Sequence, residues 1–129
     1  MNYPKQYALY AEKYFTYNNI RQPNSNRLLW RDKSVDGLKT GHTEEAGYCL
    51  VSSAEREGMR LISVVMGTNS ENARAQESQK LLNYGFRYFE THSLYSAGSS
   101  LIESPVWLGL ADKVQLGLSK DVVITIPRG

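Results

Sequence analysis

The run with the clearest chemical content is Val35-Asp36-Gly37-Leu38-Lys39-Thr40-Gly41-His42-Thr43. It places a cation, a hydroxyl and a residue without a side chain in succession, types that can hold an anion and let another main chain lie close to the backbone. Nucleophilic chemistry needs more, namely a serine with an activating base. No serine in the chain has lysine three residues later; Ser78 has Leu81 there, with its lysine at 80. Ser-x-Asn occurs only as Ser70-Glu71-Asn72, in sequence that reads as a helix start. No second histidine or carboxylate pattern accompanies His42, so it is not read as a metal ligand or general base. His92 reads as a linker residue. Cys49, alternating with Tyr48 and Leu50, has the setting of a small core residue.

The elements around the motif follow from periodicity and punctuation. Residues 46–54 and 59–66 read as two strands joined by Glu55-Arg56-Glu57-Gly58, a length and composition suited to a hairpin turn. The run 61–66 is apolar on both alternating sets, which predicts an internal strand covered on both faces. Glu71 follows Thr68-Asn69-Ser70, and Ala75, Ser78, Leu82, Phe86 and Phe89 recur at spacings of three or four. This predicts a helix over 71–89 packed on the sheet. Earlier, Tyr7, Tyr10, Ala11 and Tyr14 lie at helical spacing behind Pro4, predicting a short amphipathic helix over 3–14. Residues 15–17 have strand chemistry. Asn18-Asn19 and Gln22-Pro23-Asn24-Ser25-Asn26 read as a polar, ordered loop, with Leu28-Leu29-Trp30 as an apolar anchor and Trp30 as a packing residue.

From Thr91 the texture changes. Gly98, Ser99, Ser100 and Pro105 break the chain, and 106–110, 114–118 and 122–126 read as three short strands. The expected organisation is therefore a helix-and-sheet region over 1–90 followed by the start of a β-rich module over 91–129. Fewer than about 40 residues rarely fold alone, so that module is expected to be incomplete.

Composition narrows the function classes. The 129 residues are 41% apolar or aromatic and 22% charged, which excludes a disordered tail. Fifteen Lys+Arg against thirteen Asp+Glu, scattered along the chain, leave a formal charge of +2 and no basic stripe for nucleic acid. One cysteine makes neither an internal disulfide nor a metal cluster. No apolar run approaches the roughly 20 residues that span a bilayer, and no apolar stretch of signal-peptide type follows the first charge. The chain as it stands reads as soluble.

Lys-Thr-Gly is one of three signatures of penicillin-recognising serine acyl-transfer enzymes. Alone it arises by chance in roughly one chain in fifty of this size, so its surroundings carry the argument. These are Val35-Asp36-Gly37 before it, Ala46-Gly47-Tyr48 after it, the strand Met59 to Gly67, Leu81-Leu82-Asn83-Tyr84-Gly85-Phe86, and the closing Ile124-Thr125-Ile126-Pro127-Arg128-Gly129. Over nearly the whole chain the sequence resembles the D-alanyl-D-alanine carboxypeptidases, the low-molecular-mass penicillin-binding proteins. Single-domain β-lactamases would not predict a β-module after Thr91. The resemblance implies an α+β fold: antiparallel strands packed against a C-terminal helix, as part of a penicillin-recognising domain, then a truncated all-β module.

The same resemblance implies the chemistry. The family hydrolyses the terminal D-Ala–D-Ala bond of peptidoglycan stem peptides through an acyl-enzyme that β-lactam antibiotics trap. Lys39, Thr40 and Gly41 are then the expected catalytic residues. Lys39 supplies fixed positive charge and assists proton movement, the Thr40 hydroxyl donates to the substrate carboxylate, and Gly41 admits the substrate backbone. The His42 backbone N–H is expected to form half of the oxyanion hole. Family members often carry an arginine within Asn-x-Asn that holds the carboxylate; here Asn24-Ser25-Asn26 has serine, and Arg27 is the expected substitute. With no Ser-x-x-Lys, the chain is expected to be a C-terminal piece of such an enzyme, inactive alone. The rival reading is a non-catalytic fragment that binds cell-wall peptide or a partner. No cofactor is implied. The expected setting is the bacterial periplasm, with inner-membrane contact only through parts absent from this chain.

Overall fold

The computed structural model of the chain describes residues 3–129, which divide into two compact units between Tyr88 and Phe89. In the first, β3 (Val35–Thr43), β4 (Gly47–Arg56) and β5 (Met59–Thr68) form an antiparallel sheet with β4 in the centre. The β4–β5 turn puts Glu57 and Gly58 at φ 50° and 77°, the left-handed pair that a two-residue hairpin connection requires. Side chains alternate between faces. Leu50, Ser52 and Ala54 therefore share one face with their register partners Val65, Ser63 and Leu61.

Helix α3 (Glu71–Tyr88) covers that face and buries Ala75, Ser78, Leu82 and Phe86. The Ser70 hydroxyl accepts from the Ala73 N–H at 3.0 Å, capping the helix, and Glu71 lies in its first turn. Each fully buried Leu here contributes about 1.5–3 kcal/mol of transfer free energy. Ser52 and Ser63, both buried between sheet and helix, are joined hydroxyl to hydroxyl at 2.7 Å. A short helix, α2 (Leu28–Arg31), buries Leu28 and Leu29, as expected of the apolar anchor, while Trp30 stacks edge-on against Tyr14.

Three sequence expectations change in this unit. The N-terminal helix is only α1 (Pro4–Ala8), continued by a 3-10 turn over Leu9–Ala11, and Tyr14 belongs to a strand. The Asn24 amide donates to the carbonyls of Tyr10 (3.3 Å) and Glu12 (2.9 Å), giving the chain tertiary partners where a longer helix would have used its own. The expected polar loop is partly a hairpin: β1 (Tyr14–Tyr17) pairs with β2 (Ile20–Pro23) through Asn18 and Asn19 at φ 48° and 59°. Finally, β5 is an edge strand of the described sheet. Met59, Ser63 and Val65 are buried, whereas Ile62, Val64 and Met66 are 63%, 58% and 74% exposed. Its second apolar set is uncovered among the described residues.

The second unit is all strand. β6 (Phe89–Tyr95) pairs with β9 (Val122–Pro127), and β7 (Ser100–Pro105) pairs with β8 (Lys113–Gly117). Threonines 91 and 125, opposite each other, share a 2.8 Å hydroxyl bond. β8 and β9 fall on two of the expected strand runs, but the apolar run 106–110 is no strand. The Val106 N–H donates to Asp112 O at 2.9 Å, Leu108 sits at φ 59°, and Trp107, Leu108 and Leu110 face outward. Helices with an antiparallel sheet, followed by a strand-rich module, make the α+β arrangement expected from the sequence.

Candidate active site

The Lys39-Thr40-Gly41-His42 run lies on β3, an edge strand of the first sheet that the sequence expectations did not include. Its far side is free of any strand among the described residues. Thr40 is in register with Leu50 and thus with Val65, on the face that α3 covers. Lys39 is in register with Val51 and Val64, on the opposite face beside the exposed Ile62 and Met66 set. Thr40 is half-buried while Lys39, Gly41 and His42 are exposed. Lys39 Nζ donates to Thr40 O at 2.6 Å and forms no ion pair among the described residues, so its charge remains available.

His42 stacks its ring on that of Tyr48, its register partner, with centroids 3.9 Å apart and a 33° tilt. The imidazole is thus occupied by packing. The turn back into β4 is tight. Gly47 stands at φ +65°, and a Cβ there would lie 2.9 Å from Thr68 O.

The Asn24-Ser25-Asn26 segment is built against the same strand. Asn24 Oδ1 accepts from the Asn26 N–H (2.9 Å), and Asn26 Oδ1 accepts from the Leu28 N–H (3.1 Å). Asn26, 1% exposed, donates its amide to Gly37 O at 3.1 Å. Arg27 meets Glu71, at the start of α3, at 2.6 Å. It is engaged there and makes no hydrogen bond to Lys39 or Thr40 among the described residues. The N-terminal end of β3 is fixed by a polar cluster. Arg60 donates to both Asp36 oxygens (2.9 and 2.8 Å), to Ser53 Oγ (2.7 Å) and to Tyr7 Oη (3.2 Å), and it also pairs with Glu55. Burial lifts the Tyr7 hydroxyl above its ordinary pKa, and Asp36 adds to the rise.

Arg74 is the residue that sequence reading missed. It is 3% exposed, and its guanidinium donates to Gly41 O (3.2 Å) and to Ser25 O (3.3 Å), with Glu71 at 3.6 Å and the Tyr48 ring centroid at 5.6 Å. It ties α3, the Asn-x-Asn segment and the Lys-Thr-Gly strand together. The available signal was a cation near the start of a helix, where the macrodipole disfavours it and another partner must compensate.

Residues 1–70 match the family described as D-alanyl-D-alanine carboxypeptidase, and residues 89–129 match the C-terminal domain of penicillin-binding protein 5. The D-alanyl-D-alanine carboxypeptidase DacA of Escherichia coli (strain K12) is 53% identical over 127 residues, which are 98% of this chain and 32% of the relative. DacA of Haemophilus influenzae is 51% identical over 129 residues, covering 98% of this chain and 33% of that protein. The crystal structure of penicillin binding protein 5 from Haemophilus influenzae superposes with a TM-score of 0.85 at 50% identity, over 99% of this chain and 38% of that one. The chain therefore spans about a third of the length of the curated relatives it matches.

Proposed function

Since the chain belongs to the D-alanyl-D-alanine carboxypeptidase family, we propose that it forms the substrate-binding strand of a serine-type carboxypeptidase that removes the terminal D-alanine from peptidoglycan stem peptides. The observation that carries this reading is an edge strand with an open side that presents an unpaired lysine, a threonine and a glycine in succession, backed by a helix. A stem peptide lies along that edge as an added strand. Its terminal carboxylate takes the Thr40 hydroxyl, with the Lys39 cation close by, and the carbonyl oxygen under attack takes the His42 N–H. Gly41 keeps the approach clear; a Cβ there would meet only Cys49 Cβ, at 3.9 Å. β-Lactams, whose carboxylate lies beside a reactive amide, bind by the same contacts. In this reading Arg27 serves Glu71 and the loop, and Thr40 with Lys39 is the main carboxylate anchor.

The nucleophile comes from a Ser-x-x-Lys segment that this chain does not contain, so the isolated chain is inactive and catalysis belongs to a longer protein at the bacterial cell wall, in the periplasm. Among the described residues no helix is long and apolar enough to cross a membrane. The absence of Ser-x-x-Lys also favours one second reading, a non-catalytic fragment that holds cell-wall peptide. The two separate in one experiment: the chain is substituted for the corresponding segment of E. coli DacA, and D-alanine release from a D-Ala-D-Ala peptide is followed. Release at a rate within about tenfold of unsubstituted DacA supports the carboxypeptidase reading. A well-folded chimera that binds the peptide and releases no D-alanine supports the binding fragment instead.

A further inference from the structure

Burying an arginine is costly unless its donors are used, and Arg74 uses its donors on main-chain oxygens. Its partners, Gly41 O and Ser25 O, lie 33 and 49 residues away in sequence. Were its task only to fill space between α3 and the sheet, an aliphatic side chain would serve without that cost. The Gly41 carbonyl and the His42 N–H are the two ends of one planar peptide unit, so fixing the direction of the oxygen fixes the direction of the N–H. A cation donating to the oxygen also draws electron density from the amide, which strengthens the N–H as a donor. On the other side the His42 ring is held by Tyr48, whose ring centroid is 5.6 Å from the same guanidinium. Two contacts from one arginine, one direct and one through an aromatic ring, thus converge on residue 42.

We propose that Arg74 is a positioning residue for the oxyanion site: through the Gly41–His42 peptide it aims and polarises the His42 N–H. This rests on the proposed role of that N–H. Glu71, shared between Arg27 at 2.6 Å and Arg74 at 3.6 Å, balances the buried charge without taking the guanidinium from Gly41. Arg74 touches no substrate in this arrangement; it acts on the transition state by way of the backbone.

The DacA chimera provides the test, with Arg74→Met and Arg74→Lys. Losing an oxyanion donor outright costs about 10²–10³ in kcat, so weakening one is expected to cost about tenfold. Arg74→Met is expected to lower kcat by that factor for a D-Ala-D-Ala acid and for its terminal amide alike, with KM within about twofold. Affinity for a peptide boronic acid, whose serine adduct carries a tetrahedral oxyanion, is expected to fall by the same factor, while a non-reactive analogue of the same peptide keeps its affinity. Arg74→Lys, which retains a cation able to reach one carbonyl, is expected to recover part of the loss. It also serves as the readout should Arg74→Met fail to fold. Equal losses for boronate and non-reactive peptide, or no loss in either, would overturn the positioning role. An unsubstituted chimera that neither releases D-alanine nor binds the boronate would overturn the reading beneath it as well.

Discussion

At position 40 hydroxyl and shape can be separated, because Thr40→Val keeps the branched side chain on the half-buried face and removes one donor. In the DacA chimera the change is expected to lower kcat/KM for a peptide acid by about ten- to a hundredfold, the worth of one charge-assisted hydrogen bond. A substrate amidated at its terminus should lose far less. Equal losses for both would assign Thr40 to strand structure. Lys39→Met, by contrast, is expected to slow both substrates, since a lysine that assists proton transfer acts on the acylation step they share. The motif itself was legible in the sequence because its residue types lie in consecutive positions. Arg74 was not, since its partners come from two distant segments that only the fold brings together. The pairing of Arg27 with Glu71 was hidden for the same reason.

Among the elements, the β3–β4 turn carries a tight geometric demand beside the candidate site. Gly47→Ala forces a Cβ toward the Thr68 and Gly67 backbones at a positive φ, and is expected to cost about 1–3 kcal/mol. At roughly 4–8 °C per kcal/mol for a unit of this size, the melting temperature should fall clearly, whereas Gly58→Ala, with nothing near its Cβ, should cost less. The loop into β3 has an acid-sensitive tie. Burial pushes the Asp32 carboxyl up, but bonds from the Ser34 hydroxyl and N–H together with the Arg56 guanidinium (2.6 Å) outweigh it and hold the carboxyl below its ordinary value. Its pairing therefore stabilises the fold above the unfolded pKa near about 3.9, and that contribution drains as pH falls through the lower folded value. Thermal melts from about pH 5 to pH 2 should show the unsubstituted chain losing stability more steeply than Asp32→Asn; parallel curves would remove Asp32 from the acid response. The β4–β5 hairpin and α3 were legible because turn residues and spacing agree. β3 was missed because glycine, lysine and glycine alternate along the face where strand residues are usually β-branched. The β1–β2 hairpin was missed because Asn18-Asn19 reads equally as loop.

On the scale of the whole molecule, the run 61–66 carries apolar residues on both faces, but the described residues cover only one. Ile62, Val64 and Met66 on an edge strand form the kind of surface that associates with whatever can bury it. The isolated chain is therefore expected to sediment and melt in a concentration-dependent way, and Val64→Lys to shift it toward monomer without lowering its melting temperature. A sharp, concentration-independent transition from a monomer would contradict this. Whether this chain supplies the substrate strand and not the nucleophile is decided by intact-mass spectrometry after exposure to penicillin. No adduct is expected on the isolated chain, and one penicilloyl group per molecule is expected on the DacA chimera, mapped outside this chain's residues. A stoichiometric adduct on the isolated chain, or on one of its own serines in the chimera, would contradict that division of roles.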